Sequence, residues 1–356
     1  MEQRALEFLK RLLDTPGPSG FEAAPAALWR EEASGFADEV EADVAGNSIA
    51  VVNPGGAPRI MLAGHIDEIG VMVTHVDDEG FLWFSGIGGW DPQVFVGQRI
   101  RLLTRAGHLY GVVGRKPIHL IKEDERDKAS KITDLWIDIG AKDREDAEKR
   151  GIRVGDPGVI DARALELGND LLASRSIDNR IGAFVVLEAL RLLKDQPADA
   201  MVAAVATTQE EIGYSGGGAR TSAYKLEPHA ALVVDVTFAT DAPEMEKKEL
   251  GKHELGGGPV LSRGSAAHPV IFELLVQAAE AEGIPHTIAA SPRYSSTDAD
   301  AIYLSRAGVP TGIVSVPNRY MHSPNEMVHL EDLSAAARLL AAFCRLLTAE
   351  TDLVPR

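Results

Sequence analysis

At 356 residues the chain has room for one large or two ordinary domains, and 45% hydrophobic with 25% charged residues is the balance of a globular protein. With 53 Asp and Glu against 36 Lys and Arg, its net charge is −17, which argues against nucleic acid or an anionic membrane as a partner, because both are held by basic patches. The single cysteine, Cys344, excludes an internal disulfide framework and a thiolate metal cluster; within the late helical pattern LEDLSAAARLLAAFCRLL it reads as a small core residue.

The first stretch, MEQRALEFLKRLLDTPG, is amphipathic and predicts a helix ending near Pro16. It lacks the apolar core of a signal peptide. No run elsewhere approaches the ~18 apolar residues of a membrane span, so a cytoplasmic location is expected. NSIAVV and RIMLAGHID follow as strands. Between about Gly70 and Ile160 come the short strand patterns GVMVTHV, GFLWFSGI, QRIRLLT, HLYGVVG and LWIDIG, divided by turn residues, with one short helix at REDAEKRG. This spacing predicts a small barrel or sandwich, and KEDERDKASK (122–131) reads as its solvated surface loop.

From about Leu171 helices and strands alternate. We expect a helix over 177–193, a strand over 200–207, a Gly-rich turn with a helix near 216–224, and a strand over 230–236. A helix over 269–282, a strand over 284–290, a helix over 298–307, a strand over 311–316 and a helix over 331–348 complete the series. Such alternation implies a largely parallel sheet covered on both faces. The expected architecture is therefore α/β: a mostly parallel-sheet domain of residues 1–69 plus 162–356, interrupted by an all-β, barrel-like insertion at 70–161.

Sites in open α/β sheets gather beyond the carboxyl ends of strands. RIMLAG is followed by His65, Asp67 and Glu68; MVAAVATT by Gln209, Glu210 and Glu211; AALVV by Asp235; and PTGIVSVPNRYM by His322. Asp178 opens the helix in ASRSIDNR. Taken singly, each has an ordinary explanation: a turn histidine, a helix N-cap at Asp178, a solvated pair of glutamates. If the strand continued through them, adjacent Glu210 and Glu211 would even face opposite ways. Taken together, these residues are nitrogen and oxygen donors suited to Zn²⁺, Co²⁺ or Mn²⁺. A pair of such ions needs a bridging carboxylate, and a further, unbound carboxylate to take a proton from water.

GHIDEIGVMV, SRSIDNR, TTQEEIGYSGG, VVDVT, SSTDADAIY and RYMHSPNE, in that order across residues 65–326, resemble the signature segments of metallopeptidase family 42, the di-metal aminopeptidases of the tetrahedral, dodecameric type. The resemblance implies a di-zinc exopeptidase-like fold and two divalent ions per subunit, Zn²⁺ foremost, with Co²⁺ or Mn²⁺ as alternatives. It also implies peptide substrates with a free N-terminus and a homo-oligomer, a tetrahedral dodecamer, with the β-rich insertion as its dimerisation domain. Residue by residue, it implies His65 and Asp235 on one ion, Glu211 and His322 on the other, and Asp178 bridging both. Asp67 would orient the His65 imidazole, and Glu210 would be the general base.

The chain departs from the family pattern at Gly64, where Ala is frequent, at Phe238, where His is frequent, and at Ser296 of STDA, where Gly is commoner. Gly213 and the Gly216–Gly218 run are expected to turn the chain just past Thr208, so that Glu211 faces an ion and Glu210 the water between the ions. A related di-metal carboxypeptidase or deacylase is the alternative. An endoglucanase fits less well, because a glycosidase sets two separated carboxylates across a bond.

Overall fold

A computed structural model describes residues 1–213 and 216–356. The stripe Leu6, Leu9, Leu12, Leu13 drives α1 (Gln3–Asp14) onto the core. A second helix, α2 (Ala23–Ala33), is not among the sequence expectations. Its early Pro25 interrupts the helical pattern yet is tolerated in a first turn, and the fully buried Trp29 holds it by donating its indole N–H to the Ala183 carbonyl at 2.8 Å.

β1 (Glu39–Ala42), β2 (Ser48–Val52) and β3 (Arg59–His65) lead to the first expected ligand. The chain then builds a closed antiparallel barrel from β4 (Gly70–Val76), β5 (Leu82–Ile87), β6 (Arg99–Thr104), β7 (Gly107–Gly114), β8 (Trp136–Asp138) and β9 (Pro157–Ile160), with α3 (Arg144–Lys149) between the last two. Alternate residues fill its interior: Val71 and Val73, Leu82 and Phe84, Ile100 and Leu102 are buried there. The outward neighbours of Ile100 are Arg99 and Arg101.

β10 (Leu165–Leu167) and β11 (Leu171–Ser174) bring the chain back, followed by α4 (Ile177–Asp195), β12 (Met201–Thr207), α5 (Gly217–Leu226), β13 (Ala230–Phe238) and α6 (Lys247–Leu250). β14 (Val260–Gly264), α7 (Pro269–Ala281), β15 (Thr287–Ser291), α8 (Asp298–Tyr303), β16 (Thr311–Asn318), β17 (Glu326–His329) and α9 (Leu330–Leu346) complete the described strands and α-helices. Cys344 is buried in α9. No described helix is long and apolar enough to cross a membrane.

The eight-stranded sheet has the order β1-β2-β12-β3-β13-β16-β14-β15. Its centre, β12-β3-β13-β16, is parallel as expected, whereas β1, β2 and the β14–β16 junction pair antiparallel. A separate small sheet joins β10, β11 and β17.

Period-two alternation decides which residues reach the site. On β3, Ile60 and Leu62 face the core under α1, α4 and α9, while Met61 and Ala63 face the layer of α5 and α8. The same parity on β12 and β13 puts Ala203 and Val205, and Ala231 and Val233, on the α5/α8 side. Continued to the rim, it sends His65, Thr207 and Asp235 to that one face, with Thr207 paired beside His65. Gly64 points the other way, into α4. A Cβ there would lie 2.4 Å from the carbonyl carbon of Gly182 and 2.6 Å from Ala183 N, so the strand and helix backbones touch only because Gly64 is bare. Gly64→Ala should lower stability by ~1–3 kcal/mol through overpacking, seen as a lowered melting transition; an unchanged transition would contradict this close approach.

Candidate metal centre

The parallel strands open where β13 leaves β3. β3 pairs with β12 as far as His65 opposite Thr207, but with β13 only to Ala63 opposite Val233. β13 itself runs on to Phe238, so Asp235 lies inside the strand rather than just past its end, facing the gap left by β3. Into the gap come the start of α4, the loop after β12 and the loop after β16.

His65, Asp178, Glu210, Glu211, Asp235 and His322 meet there. One oxygen of Asp178 lies 3.3 Å from His65 Nε2, and the other lies 3.5 Å from His322 Nε2. His322 Nε2 is also 3.4 Å from a Glu211 oxygen, and His65 Nε2 is 3.6 Å from a Glu210 oxygen. His65, Glu210 and Asp235 offer donor atoms all within 4.8 Å of one another, and so do His65, Asp178 and Glu211. By distance alone, then, Glu210 stands as near a cation position as its neighbours do.

Asp178 does not cap its helix. Its backbone is non-helical at ψ 106, and its side chain points into the cluster. Asn179 secures the irregular turn, donating to the Val234 carbonyl at 2.8 Å and accepting from Gly182 N at 3.0 Å.

The loop after β12 turns at Gln209, whose φ of +61 lies in the left-handed region. The glycines turn the chain further, as expected, with φ of +56 at Gly213, +77 at Gly216 and +43 at Gly217. A Cβ at Gly217 would lie 2.6 Å from the Thr208 carbonyl oxygen, so the run lets α5 press against this loop. Tyr214 and Ser215 of the same motif lie outside the described residues. Asp67 then pins the turn. Its two oxygens accept the backbone N–H of Glu210 at 3.2 Å and of Glu211 at 3.1 Å, and one also accepts from Ser19 Oγ. His65 Nδ1 stands 3.4 Å from the same carboxylate.

Two buried acids here, Glu326 and Asp298, escaped the sequence reading of the site, and a third, Glu68, stands at the strand end in that reading without a role. Glu326, four residues after His322, accepts from the backbone N–H of both Asp178 and His322. Asp298 accepts from Thr207 Oγ1. Glu68 is paired with Arg175 and with Arg180, the latter at 2.8 Å. Their one signal in the sequence is position: each lies within the segments that carry the expected ligands or beside them.

So many carboxylates in one buried place disturb each other's protonation. Burial pushes Glu210 up to about 10 against the pull of His65, and burial together with the charge of Asp178 raises Glu211 to about 7. Burial and the same charge hold Asp235 well above the carboxylate range. Burial opposes the charge of Asp178 too, but its contacts with His322 and His65 prevail and hold it near about 2. The bonds to Asp178 and Glu211 lift His322 to about 11.

The donor set fits divalent cations. Ligand bonds of about 2.0–2.2 Å in tetrahedral array separate donors by roughly 3.3–3.6 Å, the spacing of the pairs that Asp178 makes with His65 and His322 and that Glu211 makes with His322. Glu211 Oε1 is buried with no hydrogen-bond partner. An orphaned buried acceptor is costly, and a cation supplies what it lacks.

A mixed α/β sheet with a barrel insertion and a buried His/Asp/Glu cluster at the strand ends suits a metal-dependent hydrolase. The family model described as M42 glutamyl aminopeptidase matches residues 46–339, so the chain belongs to that family and is an aminopeptidase. It is 37% identical to the lysyl aminopeptidase of Pyrococcus furiosus over 94% of this chain and 95% of that one. The solved TET aminopeptidase of the Thaumarchaeota archaeon SCGC AB-539-E09 superposes with a TM-score of 0.92 at 35% identity, covering 98% and 97% of the two chains. The TET1 peptidase of Pyrococcus horikoshii, which can assemble into a tetrahedron or a large octahedral shell, gives a TM-score of 0.85 at 31% identity over 96% and 100%.

The proton balance sets a pH dependence. In the metal-free fold, Glu211 titrates near 7 instead of the usual 4.5. Being raised, it contributes stability that is present below about 4.5 and lost as pH climbs through about 7. Its proton also competes with a cation. Zn²⁺ affinity by titration calorimetry should therefore strengthen from pH 5.5 to pH 8, while the metal-free melting temperature falls over the same window through this group.

Proposed function

We propose that the chain is a co-catalytic, two-cation aminopeptidase that removes N-terminal residues from peptides, with Glu210 as general base. The observation that carries this reading is Asp178: its two oxygens face two different imidazoles, His65 and His322, as a carboxylate shared by two cations must. His65, Asp178 and Asp235 would hold one ion, and Asp178, Glu211 and His322 the other, with Zn²⁺ first among the candidates and Co²⁺ and Mn²⁺ behind it. Bound there, the two ions would polarise the scissile carbonyl and supply a water of lowered pKa.

The rest is done by side chains. Glu210 takes a proton from the attacking water and returns it to the leaving amine. Asp67 keeps Glu210 and Glu211 apart in role by gripping the backbone N–H of each. Beside them opens a cavity of about 620 Å³ lined by Arg220, Tyr294, Thr297 and Leu304, which offers room for the side chain of the residue to be removed.

We assign residues 1–69 and 162–356 to the catalytic unit and 70–161 to a dimerisation unit. The intact particle is then a tetrahedral dodecamer, supported by the likeness to assemblies of that kind. Light scattering of the native protein should give the mass of a dodecamer; a monomer would refute the assembly. Glu210→Gln should lower kcat by roughly 10²–10⁴-fold on aminoacyl chromogenic substrates without loss of bound metal. Near-native turnover in a metal-replete Gln variant would remove Glu210 from the role of base.

A further inference from the structure

Glu326 opens β17, and the reaction sketched above gives it no task. It is 2% exposed. Its Oε2 accepts the backbone N–H of Asp178 at 3.0 Å, and its Oε1 accepts the backbone N–H of His322 at 2.9 Å. Asp178 and Glu326 are 148 residues apart in sequence, so one carboxylate ties together two remote segments, each bearing a donor to the same presumed cation. Both segments need tying. Asp178 sits in the irregular opening of α4, and His322 is held at a left-handed φ of 60, two residues after Tyr320 at 61. Such backbone persists only where its surroundings over-determine it.

Only a carboxylate does this well. A glutamine at 326 has one acceptor oxygen, and its NH₂ would face one of the two N–H groups, donor against donor. The arrangement repeats across the site, where Asp67 accepts the N–H groups of Glu210 and Glu211. Asp67 thus grips the loop after β12, while Glu326 grips the start of α4 to the loop after β16.

We propose that Glu326 is a positioning residue whose carboxylate clamps the backbone of Asp178 to that of His322 and so sets the donor spacing for one of the two cations. This rests on the two-cation reading of the site. The second cation depends on both clamped segments, through Asp178 and His322, whereas the first shares only Asp178 and draws otherwise on His65 and Asp235, which the clamp does not touch, so losing the clamp should weaken the second ion more than the first.

The experiment is Zn²⁺ titration calorimetry, with elemental analysis, of the native oligomer, of Glu326→Gln and of His322→Ala. The native chain should bind two Zn²⁺. Glu326→Gln should bind the second about 10–100-fold more weakly, the range for losing a group that orients a ligand, and the first, which shares only Asp178, markedly less so. Added to His322→Ala, it should weaken the remaining site by much less than it weakens the second site in the native background, since its main effect falls on the ion that His322 serves. Two native-affinity sites in Glu326→Gln would overturn the clamp. So would equal weakening of both sites together with a lowered melting transition of the metal-free protein, the mark of a general structural role. A native chain binding fewer than two ions would remove the two-cation reading, and the clamp with it. Should the Gln chain not fold, Glu326→Asp is measured in its place. One carbon shorter, it cannot reach both N–H groups, and selective weakening of one ion is again the expected result and its absence the contrary one.

Discussion

Everything at the site turns on one buried carboxylate. Asp178 gives an oxygen to His65 and an oxygen to His322, and it stays ionised where burial favours protonation. The three neighbouring acids, Glu210, Glu211 and Asp235, are each driven toward protonation. A fold that gathers this much negative charge without Lys or Arg among the donors is built for cations, because buried carboxylates are tolerated only when paired, protonated or coordinating a metal. The polarity of Asp178 between two imidazoles then separates the cluster into two halves.

The scaffold holds that cluster at a cost. Ser176, Gln209, Ser296, Tyr320 and His322 are non-glycine residues with φ between 58 and 61, and all lie on the loops that deliver site residues. Each such conformation costs about 1–3 kcal/mol. Buried polar anchors offset it: Asn179 onto β13, Asp67 onto the Glu210–Glu211 turn, Glu326 onto Asp178 and His322, and Arg180 onto Glu68. The barrel contributes too. Its Gly88–Gly89 turn comes so near that a Cβ at Gly89 would lie 3.4 Å from His322 Nδ1.

The long apolar runs made the central strands legible, since β3, β12, β13 and β16 are buried on both faces and flanked by long amphipathic helices. Alternating short runs made the barrel legible as well. Elements with weak local patterns were not: α2 with Pro25, the exposed β1, and the short β14 and β17. Boundaries slipped where tertiary pairing extends a strand, as in β13, which follows β16 to Phe238, past the expected end at 236. The candidate donors could be found because strand ends concentrate them and because six segments resemble one family. Glu326 could not, because its partners are backbone N–H groups, which leave no trace in side-chain type. The turn that takes the two adjacent glutamates off the strand was legible in its glycines, Gly213, Gly216 and Gly217, but not in Gln209, which also turns left-handed.

The most direct measurement is anomalous diffraction at the zinc absorption edge from crystals of the intact protein equilibrated with Zn²⁺. The account predicts two peaks per chain bridged by Asp178, with Glu211 coordinating one of them and Glu210 bound to neither. A single peak, or Glu210 inside a coordination shell with Glu211 outside, would contradict it.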